Sequence, residues 1–254
     1  MAPASTNTGA AARRVVILQP GYLPWLGFFD QMRRADVFVY YDDVAFDKHG
    51  WRNRNRIKSP SGEPYWLTVP VRHSGRSGQP IFEVEIDRRT PWARKHVTTL
   101  RHFYTRSPYL DRYLPELEAL LERPWERLID LDMALAARLA GWLGVDARVE
   151  CASALGIAGE RSERLVAICQ HFGANRYLSG DAARSYLDES RFADAGIGVE
   201  WQDYQHPVYP QLHGAFVSHL SAIDLLFNCG DESATILGHT TVGAAALPAG
   251  MEHA

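Results

Sequence analysis

The side chains best suited to acid–base and anion chemistry fall into a few short clusters. Trp51-Arg52-Asn53-Arg54-Asn55-Arg56-Ile57-Lys58 places four cations within seven residues, interleaved with amides. Cations make charge-assisted hydrogen bonds to phosphate or carboxylate, and arginine makes them in pairs. Trp51, Arg54, Asn55, Arg56 and Lys58 are therefore expected to bind the anionic part of a substrate, although a solvated, salt-bridged loop accounts equally well for any single arginine. Asp43, in the Asp42-Asp43 pair upstream, is a candidate catalytic base. A second cluster, Tyr204-Gln205-His206-Pro207-Val208-Tyr209-Pro210-Gln211, centres on His206. Imidazole titrates near neutral pH, which makes His206 the candidate general acid or base, with Tyr204, Tyr209 and Gln211 orienting it or touching substrate.

The third cluster is Gln19-Pro20-Gly21-Tyr22-Leu23-Pro24-Trp25-Leu26-Gly27. Its prolines fix φ, its glycines allow close backbone approach, and Tyr22 and Trp25 offer flat faces to a ring or sugar. The same aromatics would serve a core equally well, whereas Gln19 is a polar group at a strand end. Ser179, in Tyr177-Leu178-Ser179-Gly180-Asp181, fits either an anion-receiving turn or an ordinary helix cap.

These residues need a scaffold, and the hydrophobic pattern supplies one. The apolar run 15–19 reads as a strand, followed by a turn, a helix to about residue 34 and a strand at 37–41. That is a βαβ unit with parallel strands, and it brings the first turn and Asp43 to one sheet edge. Residues 47–63 read as a polar loop, 65–71 as a strand, 72–80 as a mobile Gly/Ser loop and 81–86 as a short alternating strand. Helical patterns at about 91–106, 110–122 and 125–143 form an insertion spanning 91–144. Strands at 147–151, 176–178 and 198–201 then alternate with helices at 160–172 and 188–195, before a last helix at 218–228. The expected organisation is a disordered leader over 1–13, one α/β domain over 14–232 with a mostly parallel sheet, and a weakly ordered tail over 233–254.

The chain has 254 residues, 46% of them hydrophobic, which suits one large domain. A net charge of -3 argues against a generic polyanion-binding surface, so nucleic acid is not an expected partner. Three widely spaced cysteines lack zinc-ligand spacing, which predicts no metal site and a reduced, cytoplasmic setting. No window holds the roughly 18 apolar residues of a membrane span. Walker A, GxGxxG, HExxH and GxSxG motifs are absent.

In order and spacing, the first turn, the Trp51–Lys58 segment, Leu67-Thr68-Val69-Pro70-Val71, Tyr177-Leu178-Ser179-Gly180, His206-Pro207-Val208-Tyr209-Pro210-Gln211 and Leu220-Ser221-Ala222-Ile223-Asp224-Leu225-Leu226-Phe227-Asn228 resemble the WbqC-like protein family over roughly residues 14–230. The resemblance implies a bacterial biosynthetic enzyme, encoded among genes for O-antigen, capsule or specialised metabolites, that acts on a small, often amino-bearing intermediate. The element order is also similar to the nucleotidyl-transferase branch of α/β folds, which includes pantothenate synthetase. This likeness implies a nucleotidyl-transferase-like sheet and raises ATP as a cofactor, but that branch carries HxGH where this chain reads Trp25-Leu26-Gly27-Phe28. Three functional expectations follow. The first is acyl or aminoacyl transfer to an amine, with His206 or Asp43 taking the proton and the substrate delivered free or on a carrier protein. The second is an ATP-dependent carboxylate-activating ligase, and the third a noncatalytic protein that binds a metabolite or partner.

Overall fold

The computed structural model describes residues 12–48 and 50–238. Its centre is a parallel sheet of five strands, β1 (Arg14–Leu18), β2 (Val37–Tyr40), β5 (Arg148–Cys151), β6 (Arg176–Ser179) and β7 (Gly198–Trp201), in the order β5-β2-β1-β6-β7. The register sets Val15 beside Val37 and Tyr177. Because β1 and β2 are apolar on both faces, alternation sends their side chains into two cores. Val16, Phe38 and Tyr40 join one with α1 (Leu26–Arg34), α2 (Trp92–Phe103), α3 (Leu110–Leu121), α4 (Leu128–Trp142) and α8 (Ala222–Cys229). Val15, Ile17, Val37 and Val39 join the other with α6 (Arg161–His171) and α7 (Glu189–Asp194). The mixed α/β class and the largely parallel sheet are as the sequence predicts. The inserted helices α2 to α4 share the first core with the sheet.

Winding runs from β1 to β2 and β5 on one side and to β6 and β7 on the other, so its direction reverses between β1 and β6. Such a reversal opens a crevice at the carboxyl ends of the two strands, where loops part in opposite directions. Among the described residues, no helix is long and apolar enough to cross a membrane.

Three local expectations are corrected. Within the presumed loop 47–63, Arg54–Lys58 form β3, paired antiparallel with β4 (Pro64–Thr68). The cations hid a period of two: Asn55 and Ile57 are buried while Arg54 and Arg56 reach the surface. Residues 81–86 are not a strand; Ile81–Glu83 make a single 3-10 turn, which buries Ile81 and Val84 three residues apart on one side. Finally, Glu232–Gly238 form α9, with Leu237 buried, where weak order was expected. The rest of that tail, and residues 1–11 of the expected leader, lie outside the described residues.

Candidate functional site

The turn after β1 is built by contacts from two distant segments. The Tyr22 N–H donates to the Arg52 carbonyl at 3.0 Å, and the Ala222 N–H donates to that of Pro24 at 2.9 Å. The Asn55 amide donates to the carbonyls of Leu23 (2.8 Å) and Tyr22 (3.2 Å). Leu23 sits at φ 43°, a conformation unfavourable for a branched side chain and held here by those bonds. The turn delivers Trp25 onto the start of α1, where a Cβ on Gly27 would stand 2.2 Å from its ring. Glycine at position 27 is what lets the indole lie there.

Trp25 forms one wall of a cavity of about 340 Å³, completed by Gln19, Trp51, Arg52, Arg56 and His219. Trp25 and His219 are stacked with ring centres 5.1 Å apart. Arg56 lies over Trp51 at 5.1 Å and donates to the His219 carbonyl at 3.3 Å. His219 has φ 58° and its Nδ1 meets Ser218 Oγ at 2.8 Å, so Nε2 is the nitrogen available to a ligand. Burial, helped by the Arg56 charge, pulls its imidazole below the usual 6.5, which leaves the ring neutral at pH 7.

A second cavity of about 820 Å³ adjoins the first, and Leu18, Gln19 and Arg52 line both. It occupies the β1–β6 crevice, with Tyr41, Arg161, Ser179 and Tyr186 among its walls. Neither cavity is lined by a carboxylate, and together they present three arginines. Arg52, on the shared wall, donates to the Pro20 carbonyl at 3.0 Å. Near it, on α4, Asp132 is fully buried with both oxygens unpartnered. Burial drives this carboxyl far above the carboxylate range against the opposing charge of Arg52, so it is held neutral.

Of the residues singled out in the sequence, Gln19, Trp25, Trp51, Asn55 and Arg56 line the first cavity and Ser179 the second. Asn55 contributes its wall while its amide is committed to the turn. Tyr204 stands behind Trp25, edge-on at 4.9 Å.

The structure places the remaining candidates outside the lining of both cavities. Tyr22 is wholly buried, its hydroxyl 2.8 Å from His96 Nδ1, and has no face for a ligand. Arg54 stacks on Trp66 at 4.5 Å and lines neither cavity. Asp43 is tied to Arg164 through both carboxylate oxygens, one of them at 2.9 Å, which removes it as a free base. His206 lines neither cavity: it packs behind His219 at 4.9 Å with Nδ1 2.8 Å from the Pro207 carbonyl, and burial lowers its proton affinity. Lys58 is fully buried, donating to the carbonyls of Ala215 (2.6 Å) and Gly214 (3.3 Å) and to Gln211 Oε1 (3.2 Å). Tyr209 and Gln211 in turn donate to Asp224 at 3.0 and 2.8 Å, joined by Tyr104 at 2.7 Å.

Sequence reasoning missed His219, Arg161, Tyr41 and Tyr186, and did not select Arg52 from its own cluster. The available signal for His219 was its place immediately before the Leu220–Asn228 signature, which pairs with the first turn through a Trp25–Ser221 bridge.

Among curated proteins, the chain is similar to Uncharacterized protein Rv1507c of Mycobacterium tuberculosis, 39% identical over 223 residues, covering 87% of this chain and 96% of that protein. No solved structure matches it. The model of the WbqC-like protein family matches residues 19–236, from Gln19 on the wall shared by the two cavities through α8 and into α9. With strands β2 to β7, its signature turn and the loop that carries His219 all inside that match, the chain belongs to the WbqC-like protein family.

Proposed function

We propose that this protein is a bacterial biosynthetic enzyme that transfers an acyl or aminoacyl group to the amine of a small intermediate held in the first cavity. Membership of the WbqC-like family supports the biosynthetic setting. The observation that carries the chemistry is the lining of the cleft: a neutral histidine beside cations, with no carboxylate. An ammonium has no lone pair with which to attack an acyl carbon. Arg52 and Arg56 disfavour the ammonium form of a bound amine by like charge, and among the described residues no carboxylate lines the cavity beside them.

In this reading Trp25 and Trp51 sandwich the body of the acceptor, and Arg52 or Arg56 holds its anionic part. As the amine nitrogen bonds to the acyl carbon and the donor's leaving group departs, the proton passes to Nε2 of His219. A positioned base of this kind contributes about 10²- to 10⁴-fold. His206, tilted against it from behind, positions the His219 ring.

The test pairs amino sugars and amino acids with acyl and aminoacyl thioesters, reading amide formation by mass and thiol release by colour. His219→Asn, which tolerates the positive φ, is expected to cut turnover by about 10²-fold or more while the fold persists. Full activity in that variant, or no amide from any pair, refutes the reading.

A further inference from the structure

The second cavity has features that the acceptor site does not use. It sits at the carboxyl ends of β1 and β6, where the winding reverses, and its about 820 Å³ exceeds what the first cavity encloses. Its lining pairs Arg52 and Arg161 with the phenol rings of Tyr41 and Tyr186 and includes no carboxylate. Tyr186 is 72% exposed and Arg161 is exposed as well, so neither is required by the core. Arg161 also stands at φ 48°, a strained conformation for a residue with a side chain.

We propose that this second compartment binds the nucleoside diphosphate portion of a co-substrate. The ligand class follows from the lining. The two guanidiniums of this carboxylate-free lining match two linked phosphates. The apolar and phenolic surface of Tyr41, Leu165, Tyr186 and Leu187 matches a planar base and its sugar. Since Arg52 also lines the acceptor cavity, the diphosphate end of the ligand lies toward the shared wall and the base toward Tyr186. A nucleoside diphosphate is common to ATP, to a nucleotide-linked sugar and to coenzyme A, and these are the three sources to separate. The assignment rests on the reading of the cleft as a two-substrate site.

Calorimetry on the full chain with ADP, UDP and coenzyme A, and with ATP with and without magnesium, tests it. At least one is expected to bind, and inorganic phosphate much more weakly. Arg161→Gly removes the cation while suiting the backbone, and is expected to weaken that binding at least 10-fold with thermal stability unchanged or raised. Tyr186→Ala is expected to weaken it severalfold. The preferred probe identifies the source: coenzyme A a thioester donor, UDP a nucleotide sugar, ATP with magnesium an activation step. Absence of binding by every probe at millimolar concentration overturns the proposal, as does equal affinity in Arg161→Gly and the parent. Amide formation that survives Arg161→Gly but fails in His219→Asn would overturn it and leave the transfer reading standing. Nucleotide binding by a chain that forms no amide would uphold it and refute that reading.

Discussion

Two polar clusters in this molecule have opposite fates. The cleft gathers Arg52, Arg56, His219, Trp25 and Trp51 around open volume. Beneath it, Lys58, Tyr104, Tyr209, Gln211 and Asp224 form an equally polar group with no volume at all. In the buried cluster Gln211 relays between charges, accepting from Lys58 through Oε1 and donating to Asp224 through Nε2. In the cleft, the Arg56 guanidinium lies over the Trp51 ring and His219 keeps a nitrogen for a ligand. The difference teaches that reactive side-chain types do not mark a site; unspent hydrogen-bonding capacity beside a cavity does.

Substitutions can break this contrast at either end. The largest effect is expected for Asp224→Ala, which strips the acceptor from three donors and leaves Lys58 uncompensated; loss of about 3–5 kcal/mol should be seen in urea unfolding. Native-like stability in that variant would dissolve the distinction. A third histidine supplies the next test. Burial lowers His96 to about 4 in the folded chain, against 6.5 when unfolded, so the unfolded state binds more protons between those values. Its contribution is complete above about pH 6.5 and falls as pH drops through 4, by about 3 kcal/mol in all. Unfolding curves of His96→Gln should lack this acid limb.

His219→Asn comes third, with turnover down about 10²-fold and unfolding unchanged within about 0.5 kcal/mol. The smallest effect is expected for Arg56→Gln. Burial is the main cause of the low His219 proton affinity and Arg56 the lesser one, so removing Arg56 should move the acid limb of the rate profile up only slightly. An unmoved limb would assign that limb to another group.

The sheet was legible because β1 and β2 are unbroken apolar runs whose only stable home is a two-sided core. Strand β3 was not, because Arg54, Arg56 and Lys58 read as solvated charge until β4 reveals the buried Asn55 and Ile57 between them. In the site, Trp25, Trp51 and Arg56 were legible as flat faces and a cation. Lys58, Tyr209 and Gln211 were misread because their partner, Asp224, lies on α8, and no local pattern announces a long-range acceptor. His219 escaped because its place depends on a positive φ and on a bridge to the first turn.

Arg52 stands on the border of both cavities, and it carries a single positive charge. An anion settled in either cavity lowers the field felt in the other, so two ligands that never touch still oppose one another's binding. By reciprocity the penalty is the same whichever arrives first. Excess of one substrate should therefore inhibit uptake of the other, and departure of the first product should tighten the second. The wall that separates the reactants thus also couples their traffic.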